Sequence, residues 1–189
     1  MSIGRALLRG MIGALFIGHG TQKLFGWFGG QGPDQTAEFF EKVELRPGKR
    51  HAIAAGATEA AGGAMLAAGF LTPVAATMLS SVMITAIRKV HAKNGVWSTN
   101  GGYEYNAVLL ATLFALTEMG PGWYSVDARA FPRLRGPRLA VAQLACALAG
   151  SELATSETVK APAEEEAEQA PVGVPGDGVP PRERAPVAA

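Results

Sequence analysis

No charged residue interrupts the 28 positions from Ala60 to Ile87, and this run limits what the chain can become more than any other feature. A helix needs about 20 apolar residues to cross a hydrocarbon core about 30 Å thick. The run is too long for one crossing and turns at Thr72-Pro73. Around it, four segments reach spanning length: Ala6–Phe25, Ala52–Leu71, Val74–Val90 and Tyr103–Met119. The first is broken by Arg9 near its start and by His19, Gln22 and Lys23 near its end; the second holds only Glu59. The fourth carries Glu104 and Glu118 at its ends and stops at Gly120-Pro121-Gly122, a strong helix terminator. Apolar residues cover every face of these segments, which a soluble bundle with one-sided stripes would not need. The expectation is an all-α, polytopic membrane four-helix bundle over residues 1–128. Arg5 and Arg9 could open a signal peptide, but the run leads into "GHGTQK" with no Ala-x-Ala-like site, so the segment is expected to stay.

Charge divides the chain. From Ser151 onward three basic residues face eight acidic ones, a balance of −5, while residues 1–150 carry 14 basic against 8 acidic, or +6. The last stretch is rich in Pro and Gly and has no aromatic residue. It cannot bury enough apolar surface to offset the entropy of ordering it, and residues 151–189 are expected to be a disordered acidic tail. Residues 129–150 begin with Arg129, Arg133, Arg135 and Arg138 and end in a short apolar run, Leu139–Gly150. That pattern predicts a fifth, short interfacial helix held by arginines against anionic lipid rather than a full crossing.

With the N-terminus inside, residues 26–50 and the "HAKNGVWSTNGG" loop lie outside, and Thr72-Pro73 and everything after Gly120 lie inside. Trp27, Trp97, Tyr103 and Tyr105 then mark the outer boundary and Trp123 with Tyr124 the inner one. Arginine and lysine divide nearly evenly between the two sides; Arg5 and Arg9 at the first helix favour a cytoplasmic N-terminus.

An ionisable residue within a spanning helix costs roughly 2.5–3.5 kcal/mol on insertion scales. His19 and Lys23 are four apart and share a helix face. At about 1.5 Å rise per residue, His19 and Glu59 lie at similar depth below the outer boundary. Antiparallel neighbours would bring them together, with Lys23 nearer the surface. Ala52, Gly56, Ala60, Ala64 and Ala68 recur every fourth residue as a small-residue ridge that permits close helix packing. The group then either forms a functional pocket or only locks the helices in register. Glu104, in "NGGYEYN", either favours the positive end of a helix dipole or joins Arg88, His91 and His19 at the outer mouth.

"HGTQKLFGWFGG", "TEAAGG" and "NGGYEY", in this order among four apolar helices, resemble the DoxX family of bacterial inner-membrane proteins over about residues 4–128. "SVDA", Ser125–Ala128, is similar to the end of that family's core. The resemblance implies a small four-helix plasma-membrane protein, linked in some members to sulfur or thiol redox chemistry and to membrane complexes with soluble oxidoreductases; similar proteins include subunits of a thiosulfate:quinone oxidoreductase. By position, the family's polar signature falls on His19, Gln22, Lys23, Glu59, Asn100 and Glu104, and a quinone is the implied cofactor.

Cys146 is the single cysteine, so no dithiol cycle can run within one chain. His19, His51 and His91 stand on different segments without an HxxxH pair, which indicates neither haem nor zinc. No phosphate-binding glycine loop occurs, and the basic residues are too scattered for nucleic acid. Two readings remain: a subunit of a membrane oxidoreductase or oxidative-stress complex with a quinone pocket, or a non-catalytic anchor that recruits soluble partners through its tail and basic inner loop.

Overall fold

The uncharged run folds into two helices joined by a turn at Gly69–Leu71, just ahead of the expected Thr72-Pro73, which instead open the second helix. The computed structural model describes residues 3–156, and these form seven α-helices with no strand among the described residues. In chain order they are α1 (Ile3–Phe25), α2 (Gly32–Lys42), α3 (Gly48–Ala68), α4 (Thr72–Ala86), α5 (Glu104–Met119), α6 (Val126–Ala130) and α7 (Pro137–Ser156). α4 continues through a π-helical turn, Ile87–His91, and a 3-10 turn, Ala92–Asn94. Two paths, Thr72–Asn94 and Pro137–Ser156, are long and apolar enough to cross a membrane by length and composition.

Glycine sets the pairing of α1 with α3, the most extensive helix contact in the molecule. A Cβ added to Gly13 would lie 2.5 Å from the Gly63 carbonyl oxygen, and one added to Gly20 would lie 2.5 Å from the Ala60 nitrogen. The backbones therefore touch where any larger residue would push them apart. The expected ridge supplies only part of this face. Ala52, Gly56 and Ala60 lie on or beside it, but Ala64 and Ala68 are exposed, and Gly63 and Ala67 take their place. A four-residue repeat drifts about 40° per step around a 3.6-residue helix, so the seam moves to the neighbouring row.

Phe16, Leu66, Leu79, Leu113 and Leu116 form the centre of the core, joining α1, α3, α4 and α5. Three features differ from the sequence expectation. Residues 32–42, read as loop, form α2, whose Pro33 suits the first turn and which packs on α3 and α1. The apolar stretch after the arginines is no short interfacial helix; α7 has 20 residues and packs along α4 and α5. Its last turn also takes residues 151–156 out of the expected tail, and Ser151 is fully buried. The rest of that tail, 157–189, lies outside the described residues.

α7 runs parallel to α4, as the rising order of their contacts shows. Gln143 Nε2 donates to Ala76 O at 3.2 Å and to Ser80 Oγ at 2.9 Å. Ser81 Oγ donates to Ala147 O at 3.2 Å, Thr85 Oγ1 lies 2.9 Å from Ser151 Oγ, and Arg88 pairs with Glu152 at 2.5 Å. Small residues on the α7 face, Ala140, Ala147 and Ser151, allow this approach.

The bundle thus has two unlike ends. At the lower end α1 begins, α3 turns into α4, and α5 ends. There Arg5 Nη1 donates to Met119 O at 2.6 Å, satisfying a terminal carbonyl of α5. Arg9, 5% exposed, donates to the carbonyls of Ala67 and Tyr124. Asp127, 1% exposed, accepts from the amides of Leu71 at 2.7 Å and Thr72 at 2.8 Å, closing the first turn of α4. "SVDA" is therefore a latch: Ser125 caps α6 by accepting from Ala128 N, and Asp127 ties α6 to the α3–α4 turn.

Candidate functional site

The upper half of the bundle holds an open-sided cavity of about 820 Å³, lined by α1, α2, α3, α4 and its π turn, α5 and α7. Its lining is predominantly apolar, with Phe39 and Phe40 from α2, Met78 and Val82 from α4, and Leu109 from α5. Against this lining stand a few polar groups. Glu59, 3% exposed, meets Lys23 with Oε2 2.5 Å from Nζ. The two charges lie on the two glycine-paired helices, so the close α1–α3 approach fixes the distance between them.

An ammonium has three N–H donors. Lys23 directs one to Glu59 and another to the carbonyl of His19 at 3.4 Å, which leaves one for a molecule in the cavity. His19 lines the same wall, but its direct partner is Gln22, with Nδ1 3.1 Å from Oε1. With the amide oxygen accepting, the proton sits on Nδ1 and Nε2 is left as an acceptor. The expected His19–Glu59 contact is therefore replaced by Lys23–Glu59. The four-carbon stem of Lys23 bends back by a turn and brings its charge to the depth of Glu59.

Of the six residues implied by the motifs, His19, Lys23 and Glu59 line the cavity and Gln22 orients His19. Asn100 and Glu104 are not part of the lining. Glu104 accepts from Ser98 Oγ within its own loop, and Asn100 sits in the adjacent 3-10 turn, donating its backbone N–H to Trp97 O at 3.0 Å. The helix-end role accounts for Glu104, and the grouping of Glu104 with Arg88 at the mouth is not found: Arg88 pairs with Glu152.

Sequence reasoning missed two contributors, Asn106 and His51. Asn106 is 6% exposed, lines the cavity and directs Nδ2 to Met83 Sδ at 3.4 Å; a polar residue in the first turn of an apolar helix was the available signal. His51 reaches the lining from α3, and His91, expected at the outer mouth, lines it as well, so all three histidines border one space. No group of three or more His, Cys, Asp or Glu able to hold a metal ion occurs among the described residues.

The described residues are all-helical, two helical stretches are long and apolar enough to cross a membrane, and a buried ion pair stands beside a largely apolar cavity, a combination that fits a helical membrane protein. Residues 4–92 match the family model DoxX, which supports a DoxX-family assignment for this part of the chain. The match holds the "HGTQK" and "TEAAGG" motifs, and so Lys23 and Glu59, and stops before "NGGYEY" and "SVDA". No curated protein and no solved structure matches the chain.

Proposed function

We propose that the chain is a multi-pass subunit of a redox assembly in the bacterial plasma membrane and that its upper cavity binds a quinone. The observation that carries this reading is the Lys23–Glu59 pair at 2.5 Å in the wall of a largely apolar cavity of about 820 Å³. A structural bundle could fill that position with apolar residues and avoid the desolvation of two charges. The remaining Lys23 N–H suits a ring carbonyl, and the apolar walls suit an isoprenoid chain. When bound, a quinone supplies two-electron, two-proton chemistry. Lys23 would hold the carbonyl, and Glu59 and His19 Nε2, at similar depth in the wall, would take up protons from the medium and pass them to the ring. Electrons come from a partner, a soluble oxidoreductase, since Cys146 is alone.

Full purified protein extracted with organic solvent should release menaquinone or ubiquinone near one per chain. Glu59→Gln should lower that ratio while the protein still inserts. A clean extract, together with no change in quinone titration on Glu59→Gln, refutes the reading.

The parallel course of α4 and α7 supports five crossings, α1, α3, α4, α5 and α7, with the two ends of the chain on opposite sides. With Arg5 and Arg9 cytoplasmic, the cavity and the end of α7 face outward. In a Cys146→Ser background, a cysteine at Ser2 and one at Ser156 should label from opposite sides with a membrane-impermeant maleimide. Labelling from the same side overturns the fifth crossing.

A further inference from the structure

We propose that the groove at the lower end, between the start of α1 and the α5–α6 connection, binds the phosphate of an anionic phospholipid. The ion pairs of the described residues are distributed unevenly. Lys23, Arg46, Lys49, Arg88 and Lys89 at the upper end each have a carboxylate within 4 Å. At the lower end six arginines, Arg5, Arg9, Arg129, Arg133, Arg135 and Arg138, face two acids, Glu118 and Asp127, a balance of +4. Asp127 offsets part of it at the buried Arg9. Asp127 spends both oxygens on the Leu71 and Thr72 amides, and Glu118 is exposed with no ion pair.

These charges surround a shaped depression of about 440 Å³, with Arg5 and Arg135 in its wall. Arg5 is held in place by the Met119 and Gly120 carbonyls, at 2.6 and 3.2 Å, through Nη1 alone. Its Nη2 and Nε stay available to an anion. The stem of Arg135 lies over Gly120, whose φ of 77° and lack of a side chain make the space. The walls also include Ile3, Trp123, Tyr124 and Phe131, all exposed, with Trp123 at 79%, and the buried Asp127, whose oxygens are taken by the α4 amides. Guanidinium groups beside exposed aromatic rings match the headgroup region of a bilayer, where rings occupy the interface and arginine meets phosphate. A free inorganic anion would need the charges and would leave the rings without a role.

The test uses the full chain in detergent, offered equal amounts of phosphatidylglycerol and phosphatidylcholine with the same acyl chains, and reads retained lipid by native mass spectrometry. An arginine near an anionic surface contributes about fivefold in binding, so two predict a preference on the order of 25-fold for phosphatidylglycerol. Arg135→Gln should reduce the preference about fivefold, Arg135→Lys should keep most of it, and Lys93→Gln at the opposite end should leave it unchanged. Equal retention of the two lipids, or an unaltered preference in Arg135→Gln with an unchanged melting temperature, overturns the proposal. So does full displacement of phosphatidylglycerol by millimolar inorganic phosphate, which would assign the groove to a free anion.

Discussion

Replacing Glu59 separates what the ion pair does for the fold from what it does for a ligand. At 2.5 Å and an effective dielectric of about 20, two unit charges attract by about 7 kcal/mol before any desolvation is counted. Burying Glu59 consumes much of that, and the net cost of removing one partner from a buried pair is about 3–5 kcal/mol. Lys23 keeps 23% exposure and can turn toward the cavity, so Glu59→Gln should cost about 2–3 kcal/mol, at the low end of that range or below it. For a chain of this size about 1 kcal/mol moves the melting temperature by roughly 2–4 °C. The single variant should therefore melt about 4–12 °C lower in detergent. Lys23→Met combined with Glu59→Leu removes both charges and leaves no orphan, so its stability should return to within about 1 kcal/mol of the parent. Its quinone content should not return. Differential scanning fluorimetry and lipid extraction on the same preparations give both readouts. A double variant that regains quinone with its stability would show that the charges only lock α1 to α3, and would refute the argument.

Other parts of the molecule give further expectations. Gly20→Val places side-chain atoms where the Ala60 nitrogen and Gly56 carbonyl already lie; about 3 kcal/mol or more should be lost as α1 and α3 separate, read as early melting and proteolysis within α1. Asp127→Asn removes a carboxylate that accepts from two amides and should cost about 1.5–3 kcal/mol, measured by thermal shift, with the α3–α4 turn losing amide-exchange protection first. Two truncations should differ: removing residues 157–189 takes away no contact described above, while removing residues 151–189 also deletes the buried Ser151 and the Arg88–Glu152 pair and should lower the melting temperature by several degrees.

Long uncharged runs were legible in the sequence because their meaning does not depend on neighbours. Ala60 to Ile87 had to become two helices with a turn between them, and it does, with the turn at Gly69–Leu71 and Thr72-Pro73 opening the second helix. Lys23 and Glu59 were legible as charges needing company, but the choice between Lys23 and His19 depended on the reach of a side chain, which Cα depth cannot express. α2 was hidden because its 11 residues carry mixed polarity and become a helix against α3 and α1 rather than by their own apolarity. α7 was underestimated for a related reason: counting apolar residues stops at Gly150, while Gln143 and Ser151 are acceptable in the interior because α4 offers Ser80, Ala76 and Thr85 to them. A sequence shows a polar residue's cost directly and its partner only through the fold.

The parallel alignment of α4 with α7 also imposes an order on assembly. α1 can close on α3, and α3 on α4, while the chain is still being made, because each pair is near in sequence. α7 cannot reach α4 until α5 and α6 have been synthesised and placed, more than 60 residues after the serines it covers. During that interval α4 must present Ser80, Ser81 and Thr85 without their final neighbours. The geometry shows how one of them waits. The Thr85 hydroxyl donates to Ser81 O within its own helix at 2.9 Å, a bond that α4 can make by itself, and Ser151 later adds to it from α7 without breaking it. Ser81 has no such bond and directs its hydroxyl to Ala147 O on α7. The face of α4 is thus half prepared in advance and half dependent on arrival, so α7 is the last helix the body needs before its interior is complete.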